Sequence, residues 1–180
     1  PAGRGGAPGF PGGRGRGRAG TLDSSRFRVS LARAAGVAPA YVQAVTLGSH
    51  GDEMAPIASQ STIKGRPLDV FLSPEAIQAC VRDAITGGGQ LVALKKTGSA
   101  TLAPAHSSVE LIDHVRGARA GWVPCSVMLR GEYGIEDVVL GVPCNLGAGG
   151  LISVEELQLT AVETTSLRAA AEAIRTRLAG

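Results

Sequence analysis

Apolar residues recur every three or four positions in several stretches of the chain, a spacing that places them on one face of an α-helix. In the first stretch, Phe27 and Leu31 share such a face, a capping Asp or Ser precedes them, and Gly36 ends the pattern. In the second, Pro74 occupies the first turn, and Gly87–Gly89 is expected to end the helix. Helices are therefore predicted over about residues 24–36, 73–86, 90–96, 102–117 and 160–179.

Shorter runs rich in β-branched and apolar residues predict strands between these helices. Two of them, at 42–47 and 54–63, flank the turn Gly48-Ser49-His50-Gly51, where the glycines allow a tight reversal. Three further strands are predicted at 122–130, 138–145 and about 151–156. Because strands and helices do not alternate regularly, we expect an α+β domain in which helices pack on a mixed or antiparallel sheet.

The first 20 residues differ in composition from the rest of the chain. Residues 1–20 consist mainly of Gly, Pro, Ala and Arg, and we expect them to form a disordered low-complexity tail. They include four arginines and no acidic residue. Residues 21–180 therefore have 14 basic and 15 acidic residues, a net charge of −1. The Gly-Arg run at 13–18 is similar to short RNA-binding tracts, but a solvated tail is favoured and nucleic acid is not an expected partner. Residues 21–180 are expected to form one domain.

Several classes of protein and site are excluded or disfavoured by composition. No run of 18 apolar residues is present, so a membrane-spanning segment is not expected. The chain begins at Pro1 without a signal-peptide pattern, which suggests a processed product or a fragment. Its three cysteines, Cys80, Cys125 and Cys144, lack the spacing of a zinc site. We therefore expect buried thiols, no metal, and a reducing cytoplasmic location.

Three side chains suggest acid–base chemistry on a small anion. Asp23 and Arg26 are three positions apart at a helix start, and the guanidinium of Arg26 suits a carboxylate ligand. Histidine is the common side chain best suited to exchange protons near neutral pH, so His50 could remove a hydroxyl proton, with Asp23 orienting its ring. Taken singly, a histidine in a glycine-rich turn is usually a surface residue, and an Asp-x-x-Arg at a helix start is more often a solvated ion pair with capping. The order of these three residues along the chain is more specific than the histidine or the Asp-Arg pair alone.

That order is part of a wider set of motifs. They are L-D-S-S-R-F-R at 22–28, G-S-H-G-D-E-M at 48–54, K-G-R-P-L at 64–68, G-G-G-Q-L-V-A-L-K-K-T-G-S-A at 87–100, A-P-A at 103–105, and G-E-Y-G-I-E-D-V-V-L-G-V-P-C-N-L-G-A-G-G at 131–150. In this order, over about residues 20–180, the chain resembles the C-terminal, catalytic half of the lactate/malate dehydrogenases. The H-G-D-E-M element and the G-S-A tract are most similar to malate dehydrogenases of the lactate-dehydrogenase type.

The resemblance implies a role for each matched residue. His50 is expected to accept the 2-hydroxyl proton of malate, and Asp23 to orient and support His50. Arg26 is expected to bind the carboxylate beside the reacting carbon. The resemblance also places Ser99 and Ala100 beside the substrate pocket. NAD is expected to take the hydride as malate becomes oxaloacetate.

Family members bind NAD on an N-terminal Rossmann half, which this sequence does not contain. Neither Gly87–Gly89 nor 147–150 has the strand and helix of a phosphate cradle around it. We therefore expect the isolated chain to be inactive, and to associate as the family's dimers or tetramers do. Lactate or another 2-hydroxy acid is the alternative substrate, because the loop that reads the distal carboxylate belongs to the N-terminal half. A non-catalytic interaction module with an RG-rich tail is the alternative from another class.

Overall fold

The computed structural model describes residues 19–49, 53–95 and 102–179. Within these ranges the chain forms four α-helices: α1 (Ala19–Ala35), α2 (Pro74–Lys95), α3 (Leu102–Val115) and α4 (Ala161–Ala179). None of the helices in the described ranges is long and apolar enough to cross a membrane. The positions of α1, α3 and α4 agree with the predicted helices to within a few residues at most ends.

Eight short strands are described, and every pair among them is antiparallel. They are β1 (Val42–Gln43), β2 (Thr46–Gly48), β3 (Met54–Pro56), β4 (Thr62–Ile63), β5 (Arg66–Pro67), β6 (Val123–Arg130), β7 (Glu136–Gly147) and β8 (Gly150–Val154). A three-stranded sheet has the order β1-β4-β5, and a five-stranded sheet has the order β3-β2-β7-β6 with β8 also paired to β7. The α+β architecture is confirmed.

One face of the larger sheet forms the main core. Side chains alternate along a strand, so every second residue of β6 and β7 points to the same face. On β6 these are Val123, Cys125, Val127 and Leu129, all buried. Helix α4 covers this face with Leu167, Ala170 and Ala171. The C-terminal helix is therefore held by apolar packing against the sheet that includes β2 and β3.

A second core lies between α1 and α2. Phe27 and Leu31 of α1 are fully buried, as the predicted apolar face requires. They pack in a cluster with Cys80 and Ala84 of α2 and with Ile63 of β4. This contact fixes the orientation of α1, and with it the residues at the start of that helix.

Helix α1 begins earlier than predicted. The expected start was Ser24 with Asp23 or Ser24 as the cap, but the helix already includes Ala19. Asp23 and Ser24 are thus inside the helix, and their polar side chains are buried by tertiary contacts. At the other end, Gly36 has φ +64° and the amide of Val37 donates to the carbonyl of Ala32 at 3.0 Å, so the predicted glycine stop is confirmed.

The prediction that Gly87–Gly89 ends a helix was wrong. Helix α2 continues through these glycines to Lys95, and the separate helix expected at about 90–96 is its last part. Glycine in a helix costs about 1 kcal/mol relative to alanine but does not block the hydrogen-bond ladder as proline does. The helix is fastened by buried residues of its first half, Cys80 and Ala84, so this local cost does not terminate it.

Candidate active site

The Asp23–Arg26 pair lies on the first half of α1. Because three residues make nearly one helical turn, the two side chains meet, with Arg26 Nη1 3.5 Å from Asp23 Oδ1. The Asp23 side chain is 2% exposed and that of Arg26 is 26% exposed. A buried carboxylate needs charged or hydrogen-bonding partners. The Arg26 guanidinium is therefore partly exposed to solvent, while the Asp23 carboxylate that it contacts is buried. A guanidinium has five N–H donors, so Arg26 can bind a further anion.

Ser24 joins the same helical turn to strand β2. The backbone N–H of Thr46 donates to Ser24 Oγ at 3.0 Å, and both residues are buried. Thr46 begins β2, and His50 follows it by four positions in the chain. The start of α1 is thus fastened beside the strand that leads directly to residue 50.

Two glycines join β2 to β7 within the five-stranded sheet. Strands β2 and β7 are bridged at a single pair, Gly48 and Gly141. A Cβ at Gly141 would lie 2.6 Å from the carbonyl oxygen of Gly48, and a Cβ at Gly48 would lie 2.7 Å from the carbonyl oxygen of Glu53. Gly48 also has φ +90°, which disfavours other residues. Glycine is required at both positions for this close approach.

Glu53 is hydrogen-bonded through its backbone to Ser49, the residue that follows β2. Its carbonyl accepts the N–H of Ser49 at 3.3 Å, and β2 and β3 continue the pairing as an antiparallel hairpin. The Glu53 carboxylate forms an ion pair with Arg177 near the end of α4. Sequence reasoning overlooked both residues of this pair. Since 124 positions separate them, no local pattern could have indicated the contact.

Helix α4 is also tied to this region at its start. Glu163 accepts hydrogen bonds from the Ser59 N–H at 3.0 Å and the Ser59 hydroxyl at 2.7 Å. It accepts two more from the backbone and hydroxyl of Thr160, both at 2.9 Å. Partial burial alone would raise the pKa of Glu163, but the hydrogen bonds from Ser59 and Thr160 outweigh it and lower the pKa.

Two cavities flank these elements. One, of about 340 Å³, lies beside α1 and α3 and is bordered by Ser24, Arg28, His114 and Trp122. The other, of about 360 Å³, lies between the sheet and α4 and is bordered by Gly48, Ser49, Ser126 and Val139 and by Ile174, Arg177 and Leu178 of α4. Neither of these two is bordered by Asp23 or Arg26. The second cavity reaches Gly48 and Ser49, which precede His50 in the chain.

The structure brings together part of the predicted site. Asp23 and Arg26 form the pair described above. His50 and the proposed substrate-pocket residues Ser99 and Ala100 lie outside the described residues, so their predicted roles remain predictions. His114, which we did not assign to the site, is buried beside the first cavity.

The cysteines are buried free thiols, as predicted. The thiol of Cys144 donates to the carbonyl of Val142 at 3.3 Å. Hydrogen bonding with Cys125, followed by burial, raises the pKa of Cys144. A protonated, inaccessible thiol is a poor nucleophile, so Cys144 does not suit covalent catalysis. In the described ranges, no group of three His, Cys, Asp or Glu side chains is placed to hold a metal ion.

Comparison with protein families places this arrangement in a known group. Residues 20–179 match the profile described as lactate/malate dehydrogenase, alpha/beta C-terminal domain. The chain is 42% identical to malate dehydrogenase of Roseiflexus castenholzii over 171 residues, which cover 95% of this chain and 55% of that enzyme. It is 41% identical to malate dehydrogenase of Nostoc punctiforme over 169 residues, covering 94% of this chain and 52% of that enzyme.

Solved structures give the same assignment. Malate dehydrogenase of Salinibacter ruber superposes with a TM-score of 0.88 at 36% identity, over 94% of this chain and 55% of that one. Lactate dehydrogenase of Cryptosporidium parvum, complexed with lactic acid and nicotinamide adenine dinucleotide, superposes with a TM-score of 0.87 at 32% identity, over 93% and 54% of the two chains. The chain thus spans about half the length of the relatives it matches.

Proposed function

The chain belongs to the lactate/malate dehydrogenase family, and from this we propose that it supplies the substrate-binding, proton-transferring half of an NAD-dependent malate dehydrogenase. The enzyme would interconvert (S)-malate and oxaloacetate. The observation that carries the proposal is the Asp23–Arg26 pair, held beside β2 by the hydrogen bond between Ser24 and Thr46. That strand leads to His50, the proposed base.

Each residue of the proposed site has a distinct task. Arg26 binds the carboxylate next to the reacting carbon through paired N–H groups. His50 accepts the proton of the 2-hydroxyl group during oxidation and returns it during reduction. Asp23 orients the imidazole and stabilises its charged form. Ser99 and Ala100 lie beside the substrate in this proposal, where small side chains leave room for it.

The described residues do not fit a dinucleotide site. A phosphate cradle of the Rossmann type needs a strand, a glycine-rich turn and a helix, built on a parallel sheet. The strands described in this chain pair only antiparallel. Gly87–Gly89 lies within α2; Gly147 ends β7, Gly150 begins β8, and Gly149 lies in the turn between these two strands. We therefore propose that NAD, the hydride acceptor, binds to the part of the family's chain that this sequence does not match.

Malate is the proposed substrate because two relatives that are 41–42% identical over most of the chain are malate dehydrogenases. Lactate is the second candidate, since lactate dehydrogenases share the fold with nearly the same TM-score. Comparing oxaloacetate with pyruvate in the whole enzyme separates the two substrates.

We also propose that the protein assembles as a homo-oligomer, a dimer or tetramer, in the cytoplasm. Exposed apolar side chains on α3, Val109 and Ile112, are three positions apart and form an apolar strip suited to association. Buried free thiols are in keeping with a reducing compartment. Sedimentation of the purified chain tests the association, and a monodisperse monomer would contradict it.

The function is tested in a fusion enzyme. Residues 20–179 replace the matching half of the Roseiflexus castenholzii malate dehydrogenase, to which they are 42% identical. We expect the fusion to reduce oxaloacetate with NADH and the 180-residue chain alone to show no turnover. A fusion that folds and oligomerises but lacks activity would argue for the non-catalytic module. In that case, salt-sensitive RNA retention lost on removing residues 1–20 would identify the partner.

A further inference from the structure

Helix α4 is fastened near both ends to the segment that begins at Glu53. Near its start, Glu163 binds the backbone and hydroxyl of Ser59. Near its end, Arg177 forms an ion pair with Glu53. Between these two ties, Ala170 and Ala171 pack into the main core. The C-terminal helix therefore lies along the hairpin partner of β2, with a polar tie at each end.

Glu53 is the residue through which this helix reaches the end of β2. Its backbone carbonyl accepts the amide of Ser49 at 3.3 Å, and Ser49 directly precedes His50 in the chain. Gly48 approaches the same oxygen so closely that a Cβ there would lie 2.7 Å away. A displacement of the Glu53 backbone must therefore disturb Gly48 and Ser49.

The side chain of Glu53 depends on Arg177. It is only 27% exposed, and its Oε2 atom is buried without a hydrogen-bond partner among the described residues. A carboxylate in such a place needs a compensating charge, and removing that charge drives the group toward water. Arg177 is 61% exposed, so its own solvation does not require Glu53. The buried Glu53 carboxylate therefore needs the charge of Arg177 more than the exposed Arg177 guanidinium needs Glu53.

We propose that Arg177 is a positioning residue for the proton transfer, acting through Glu53 on Ser49, the residue that precedes His50 in the chain. The inference rests on the proposed function, in which His50 exchanges the hydroxyl proton. Arg177 does not touch the substrate. It acts on the backbone next to the proposed base, whereas Arg26 on α1 binds the carboxylate independently of α4.

The fusion enzyme tests this with Arg177→Gln, Glu53→Gln, the double variant and Arg177→Lys. Small misplacement of a catalytic group costs up to about 100-fold in rate, and we expect kcat to fall about tenfold in each Gln variant. KM should change less than about twofold because Arg26 is undisturbed. The double variant should be no slower than either single one, and Arg177→Lys should recover part of the rate.

Arg175→Gln is the matched control. Arg175 lies on the same turn of α4 and carries the same charge, but it pairs with Glu172 and with the carbonyl of Glu136. We expect its kcat to remain within about twofold of the parent, as for a surface substitution away from the site. If Arg177→Gln lowers only the melting temperature and its kcat matches that of Arg175→Gln, Arg177 is merely structural and the inference is wrong.

A second measurement does not depend on activity. In the 180-residue chain, hydrogen exchange of the Ser49 amide should be faster in Arg177→Gln than in Arg175→Gln, because the Glu53 carbonyl that accepts it is released. Equal exchange in the two variants would overturn the inference even if the fusion has no activity. An inactive parent fusion with faster exchange in Arg177→Gln would instead refute the proposed function and leave the Arg177–Glu53 link intact.

Discussion

The contact between Gly141 of β7 and Gly48 of β2 predicts the effect of Gly141→Ala. The added Cβ would lie 2.6 Å from the carbonyl oxygen of Gly48. An ordinary carbon–oxygen contact is about 3.3–3.6 Å, so β2 and β7 must separate by roughly 0.7–1 Å. The obstacle is backbone and cannot turn aside as a flexible side chain would. Strands β2 and β7 are bridged only at this pair in the described structure, so no neighbouring bridge shares the strain.

Crowding of this kind costs about 1–3 kcal/mol of unfolding free energy. A chain of this size loses about 2–4 °C of melting temperature per kcal/mol, which gives a decrease of roughly 2–12 °C. The same separation should displace Gly48 and the turn that follows it. We therefore also expect lower kcat in the fusion enzyme.

Gly149→Ala provides the matched control for this substitution. Gly149 lies in the turn after β7, its φ is not positive, and a Cβ there would meet nothing within 4 Å. Its stability should remain within about 0.5 kcal/mol of the parent. Thermal melts followed by circular dichroism at one scan rate compare the two variants. If Gly141→Ala melts together with Gly149→Ala, the close approach of β2 and β7 does not constrain the fold as we argue.

Four further substitutions test other parts of the site. Ser24→Ala leaves the buried Thr46 amide without its acceptor and should cost about 1–3 kcal/mol in urea unfolding; an unchanged midpoint would rule the tie out. Glu163 has a lowered pKa in the folded chain, so its stabilisation is present above pH 4.5 and is lost as the pH falls through the lower folded value. Glu163→Gln should therefore weaken the chain at neutral pH and flatten the acid limb of melting temperature against pH. In the fusion enzyme, His50→Asn should lower kcat about 10²–10⁴-fold, and Arg26→Lys should raise KM because the planar fork is lost; normal kinetics in either variant would remove that residue from the site.

Periodicity predicted the fold class and most elements correctly. The apolar face of α1, the glycine stop at Gly36 and the long strands β6 and β7 each follow from side-chain spacing that local geometry imposes. Gly87–Gly89 shows the limit of such reasoning. Glycine lowers helix propensity but, unlike proline, keeps the backbone N–H that the helical hydrogen-bond ladder needs, so α2 can continue through it.

The candidate site was predictable where its residues are close in sequence. Asp23 and Arg26 are one helical turn apart, and the structure pairs them. Their predicted neighbour His50 comes from another segment and lies outside the described residues. The contacts that fasten the surrounding elements, Ser24 with Thr46 and Arg177 with Glu53, join distant positions and were not anticipated.

The amino-acid pattern alone determined the kind of domain, the family it resembles, and the chemical types available to the site. These follow from local propensities and from motifs that can be read without coordinates. Only the tertiary structure decided that Asp23 and Ser24 are buried inside a helix. It also decided that α4 contacts Glu53 and Ser59 through Arg177 and Glu163. Pairing across 22 to 124 positions depends on how two cores orient whole elements. The spacing of residues along the sequence does not specify that orientation.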